Sequence, residues 1–129
     1  MSRKRIRGIG VDAVSLERMA KLVAGEHFVK RMFHPLEVKE GLELKKEQQA
    51  QFFASRFAAK EALVKALGTG FRGVGPAQIC VVVDELGKPS FQLEQKVISS
   101  FNLENGQLHL SLTHEKDLAC AFVIVEDFS

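Results

Sequence analysis

Phe52-Phe-Ala-Ser-Arg-Phe-Ala-Ala-Lys-Glu-Ala-Leu-Val-Lys-Ala-Leu67 carries the strongest helix signal in the chain, and Gly68 follows it directly. Glycine is the usual residue just past a helix C-terminus. The stretch therefore predicts one long helix from about Gln48 to Leu67. Downstream the pattern changes to strands at Ile79–Asp84 and Ser90–Leu93 across a Gly87-Lys88-Pro89 turn, then a helical stretch near Glu94–Phe101. Leu108, Leu110 and Leu112 alternate with polar residues, as in a strand with one face to water. Leu118–Glu126 reads as a further strand, and its Leu118–Val125 is apolar on both faces, which suits a central strand.

Upstream, Arg5-Ile-Arg-Gly-Ile-Gly-Val11 reads as a short strand that Asp12 closes. Glycine inside a strand weakens it and often marks close approach of another backbone or a ligand. Leu16, Met19, Ala20 and Val23 then recur at i, i+3, i+4 and i+7, the stripe of an amphipathic helix that leaves Glu17, Arg18 and Lys21 outside. A second helical piece lies near His27–Phe33, and a third opens on Pro35 in its first turn. The predicted class is α+β, with an antiparallel sheet packed against a long helix.

At 129 residues the chain is expected to form one domain, residues 1–129. It is 46% hydrophobic, enough for a small core whose stability would gain from association with copies of itself. A formal charge of +2 gives no reason to expect wholesale nucleic-acid binding. The ten phenylalanines, without Tyr or Trp, stand in apolar surroundings and read as core rather than as base-stacking platforms. No apolar run approaches the roughly 20 residues of a membrane span, and the basic start lacks a signal-peptide core. Cys80 and Cys120 sit singly in apolar runs, as buried free thiols do. The expectation is a cytoplasmic protein with no nucleic-acid or membrane partner.

Glu61 shares its helical face with Phe57, Ala58 and Val64, so its charge needs compensation. Lys65, four residues on, offers an ordinary ion pair, while a bound cation is the other reading. Asp12, between strand and helix, is equally a helix N-cap or a ligand. Together the two could hold magnesium, which takes one or two protein carboxylates and completes its shell with water and phosphate. Arg56, Lys60 and Lys65 with the Gly68-Thr69-Gly70 turn suit a phosphate partner, although lysines on a helix are usually a solvated face. His114 ends a strand and reads as a turn histidine or a functional one.

Three segments taken together resemble the holo-[acyl-carrier-protein] synthase family of 4′-phosphopantetheinyl transferases. They are Gly8-Ile-Gly-Val-Asp12, Arg56-Phe-Ala-Ala-Lys-Glu-Ala62 continuing through Lys65 to Gly68-Thr-Gly70, and Ser111-Leu-Thr-His114. Their order and spacing match over essentially the whole chain. The resemblance implies a trimer-forming fold that moves phosphopantetheine from coenzyme A to a serine of an acyl carrier protein in fatty acid biosynthesis. It implies Mg2+ on Asp12 and Glu61, with Lys65 also catalytic. It places Arg56, Lys60, Lys65, Gly68, Thr69, Gly70 and His114 at the coenzyme. Arg18 and Lys21, with Lys30 and Arg31 beyond them, would dock the acidic carrier. The chain departs from the family at Gly25-Glu-His27, where many relatives are more basic, and at Ala13 and Ser15, where larger or acidic residues are common.

Overall fold

Two glycines decide how the long helix sits. The structure is a computed structural model and describes residues 3–128. Strand β1 (Lys4–Ser15) is followed by helices α1 (Leu16–Leu22), α2 (Glu26–Met32), α3 (Pro35–Leu42) and α4 (Lys46–Leu67). After a single 3-10 turn at Pro76–Gln78 come β2 (Cys80–Val83), β3 (Pro89–Gln92), α5 (Gln95–Ser100), β4 (Gly106–Glu115) and β5 (Leu118–Phe128). The antiparallel main sheet runs β1-β5-β4, so the strand apolar on both faces is the central one, as its sequence predicts; β2 and β3 form a separate hairpin.

The inner face of the sheet carries Gly8, Gly10, Asp12 and Val14 from β1, opposite Val125, Val123, Ala121 and Ala119 of β5. A Cβ on Gly8 would fall 1.9 Å from the carbonyl oxygen of Ala66, and one on Gly10 would fall 1.9 Å from that of Ala62. Helix backbone lies where side chains would be, which is the close approach that glycine in a strand signals. Ala58, Ala62 and Ala66, one turn apart on α4, are buried at this contact. Helices α1 and α3 cover other faces of α4, Phe28 of α2 stacks on Phe57 of α4, and Phe33, Phe53 and Met19 close the core there. Gly68 adopts the left-handed conformation, φ +72°, that ends α4.

Most boundaries fall within two residues of the sequence expectation, and the end of β1 differs most. β1 does not stop at Asp12 but runs to Ser15, because the ladder with β5 continues from Asp12↔Ala121 to Ser15↔Leu118. The N-cap of α1 is therefore Ser15, whose Oγ accepts the Arg18 N–H at 3.1 Å. Asp12 is left inside the strand with its carboxylate free for other work. Both cysteines are free thiols. Cys80 is buried, and burial, with Glu37 nearby, pushes its thiol up to about 11. Among the described residues no helix is long and apolar enough to cross a membrane.

Candidate active site

Asp12 follows Gly10 by two residues on the same face of β1, so it meets α4 beside the point where the glycines let the two backbones touch. Glu61 precedes Ala62 on that helix. The two carboxylates line one cavity of about 310 Å³ with Ser15, Arg18, Met19 and Phe57. Burial raises the proton affinity of Glu61, and the Asp12 carboxylate adds to the effect; Lys65 opposes it. Two carboxylates facing one partly desolvated space are a donor set that a hard divalent ion fits, since such an ion asks the protein for only one or two carboxylates.

Lys65 does not make the i+4 pair with Glu61 that helical spacing allows. Its Nζ lies 3.2 Å from Asp12 Oδ1 and donates to the Val11 carbonyl at 3.0 Å. The strand supplies two acceptors within one reach, and among the described residues Lys65 pairs with no other carboxylate. Arg18, expected to dock a carrier, stands on α1 at this same cavity. Lys21, one turn on, is exposed and lies 3.7 Å from Glu17, and Lys30 is 2.9 Å from Glu26.

Lys60 must be reassigned. Its side chain is 2% exposed and its ammonium binds Glu37, itself 1% exposed. The Met32 and Pro76 carbonyls accept from the same nitrogen at 3.0 and 3.1 Å. An ammonium has three protons to donate, and all three have partners inside the core. Adjacent residues of a helix point about 100° apart, so with Glu61 in the cavity Lys60 is turned inward. It cannot meet a phosphate and serves instead as a structural tie between α4, α2 and the turn before β2.

Arg56 is also buried, with its guanidinium 3.8 Å from the Phe52 ring centroid and donating to Ser55 Oγ at 3.0 Å. It lines a separate depression of about 280 Å³ with Gln48 and Gln51, and its Nε is buried without a hydrogen-bond partner among the described residues. The turn at Gly68, Thr69 and Gly70 is exposed; both glycines have positive φ, and a Cβ on either would meet nothing within 4 Å. His114 is exposed near the end of β4, opposite Ala119. One chain thus brings Asp12, Glu61 and Arg18 to one cavity, with Lys65 held against Asp12, and leaves Arg56 and His114 outside it.

Sequence reasoning passed over Glu37. Glu37 stands at the third position of α3, where its side chain accepts the His34 N–H at 2.9 Å to complete a capping box. That local signal was legible after Pro35, but the bond to Lys60 across 23 positions was not. Phe57, on the helical face it shares with Glu61, forms part of the cavity wall.

The family model of the 4′-phosphopantetheinyl transferase superfamily matches residues 8–123. The chain belongs to that superfamily. Within it, the chain is similar to the holo-[acyl-carrier-protein] synthase of Clostridium botulinum, 43% identical over 122 residues that cover 94% of this chain and 98% of the relative. Among solved structures it is similar to the holo-[acyl-carrier-protein] synthase of Neisseria meningitidis, with TM-score 0.84 and 37% identity over 94% of this chain and 98% of that one. The enzyme of Bacillus anthracis, in complex with CoA (3′,5′-ADP), gives TM-score 0.80 and 35% identity over 95% and 97%.

Proposed function

We propose that this protein is a cytoplasmic holo-[acyl-carrier-protein] synthase acting in fatty acid biosynthesis. It transfers the 4′-phosphopantetheine group from coenzyme A to a serine of an apo acyl carrier protein and releases 3′,5′-ADP. Residues 1–129 form one such domain. The observation that carries the reading is the convergence of Asp12 and Glu61 on one cavity with Lys65 and Arg18 beside them.

The carrier's serine oxygen forms a bond to the phosphorus bearing the pantetheine arm, and the bond from that phosphorus to the ADP oxygen breaks. The serine proton passes to an oxygen of the Glu61 carboxylate, directly or through water. Asp12 and Glu61 hold Mg2+, which when bound neutralises charge on the diphosphate oxygens. Lys65 adds a positive charge on the same side, so positioning and electrostatics supply most of the acceleration. Arg56 offers its guanidinium, and the exposed Gly68–Gly70 turn the N–H groups beyond the one that Gly68 gives to the Val64 carbonyl, to the coenzyme's phosphates. His114 completes the coenzyme site. Lys60 has no part in it.

The enzyme works as a homotrimer with active sites between subunits. Supporting this is the outer face of the sheet, where Ile6, Ile9, Val11 and Phe122 are 64%, 60%, 59% and 41% exposed. Burial of such a patch drives association. Assembly also accounts for Arg56 and His114, which lie outside the cavity of their own chain and can complete the site of a neighbour.

Incubating an apo acyl carrier protein with the enzyme, coenzyme A and Mg2+ should raise the carrier's mass by one phosphopantetheine. EDTA should prevent the gain, and a carrier of unchanged mass with the ion present would refute the reading. Arg18, with Lys21 close by on α1, docks the acidic carrier. Arg18→Ala should raise KM for the carrier several-fold, with the difference shrinking at high salt as steering charges are screened, while KM for coenzyme A stays within about twofold. Loss of coenzyme affinity with carrier affinity unchanged would reverse the assignment.

A further inference from the structure

Asp12 already has a cation. Lys65 Nζ contacts both its carboxylate, at 3.2 Å, and the adjacent Val11 carbonyl, at 3.0 Å. The Lys65 side chain is 56% exposed, whereas that of Asp12 is 18% exposed. The ammonium thus reaches in from solvent on a flexible stem and can leave again, while the carboxylate stays where the strand holds it. Two carboxylates, Asp12 and Glu61, stand against two cations, Lys65 and Arg18, so the site is formally neutral. A divalent ion arriving alone enters without net attraction, and the oxygen it needs is shared with an ammonium.

We propose that Lys65 is the resident counter-cation of Asp12, which the divalent ion displaces, and that a diphosphate group receives the displaced ammonium. This rests on the reading of Asp12 and Glu61 as the cation's ligands and adds a device to it. Metal and coenzyme then bind together better than either binds alone. When Lys65 turns from Asp12 to a phosphate oxygen, it vacates a metal-binding oxygen and neutralises the incoming anion in one movement. Such coupling is reciprocal: the metal strengthens coenzyme binding by the same factor as the coenzyme strengthens metal binding.

The test measures binding of Mn2+, the paramagnetic probe ion, by the loss of its free EPR signal in wild type, Lys65→Met, Lys65→Arg and Asp12→Asn, with and without coenzyme A. Lys65 is half exposed, so these variants should fold, which a melting curve verifies. Without coenzyme, Lys65→Met should bind Mn2+ roughly tenfold tighter than wild type, the scale on which one neighbouring charge acts on a carboxylate. Lys65→Arg should stay close to wild type. The gain in Mn2+ affinity on adding coenzyme A should be smaller in Lys65→Met than in wild type. Equal Mn2+ affinity in wild type and Lys65→Met, with the ion lost in Asp12→Asn, would overturn the counter-cation role and leave the two-carboxylate site standing. Mn2+ binding indifferent to both Asp12 and coenzyme A would overturn the site itself.

Discussion

Glu61→Gln should yield a folded protein whose transfer rate is lower by a factor of about 10²–10³, the scale lost when one charge-stabilising group is removed from a preorganised site. The substitution keeps the side chain's shape and one acceptor oxygen while deleting its negative charge. That charge is asked both to hold the cation opposite Asp12 and to accept the serine proton, and a neutral amide does neither well. The fold should not suffer. Burial and the Asp12 carboxylate raise the Glu61 pKa in the native state, so above the ordinary carboxylate range the ionised group lowers stability relative to the unfolded chain. Glutamine stays neutral at every pH and removes that cost, so the melting temperature near neutral pH should be unchanged or slightly higher. Initial rates of carrier modification under saturating Mg2+ check the first part and calorimetry the second. Full activity in the variant would take Glu61 out of the chemistry.

Lys60→Met should produce the largest loss of stability, about 3–5 kcal/mol, because it leaves the Glu37 charge buried without its partner. Glu37 keeps two other bonds, from the His34 N–H at 2.9 Å and the Val81 N–H at 2.9 Å. These tie α3 to β2 but do not neutralise a carboxylate that is 1% exposed. The Met32 and Pro76 carbonyls lose their donor at the same time. The melting temperature should fall by about 10 °C or more. In Glu37→Gln/Lys60→Met the buried charge is gone, so the double variant should lose less than the two single losses summed. The same proteins decide what Lys60 does. With a structural ion pair, the folded fraction of Lys60→Met keeps its KM for coenzyme A. An unchanged melting temperature with a KM raised tenfold would instead return Lys60 to the coenzyme.

Helical periodicity and capping residues carried most of the secondary structure. The 22 residues of α4 stand within two positions of the sequence expectation because alanine, leucine and Gly68 act locally. The central position of β5 was legible from its apolar run, and the α+β class from the order of elements. The C-terminal end of β1 was not. Asp12 satisfies the local rule for a helix cap, but pairing with Ala121 more than a hundred positions away extends the strand past it.

The site divides along the same line. Sequence by itself determined which residue types were available: two carboxylates in Gly8-Ile-Gly-Val-Asp12 and Lys60-Glu-Ala62, and several lysines and arginines that a phosphate could use. Only the tertiary structure decided which of those charges share a cavity. Lys60 and Lys65 look alike in sequence, five positions apart on one helix. A helix turns about 100° per residue, so that separation carries one to Glu37 inside the core and the other to Asp12 at the cavity. What each charge does depends on the dielectric and the partners it meets there, and those come from elements far away along the chain.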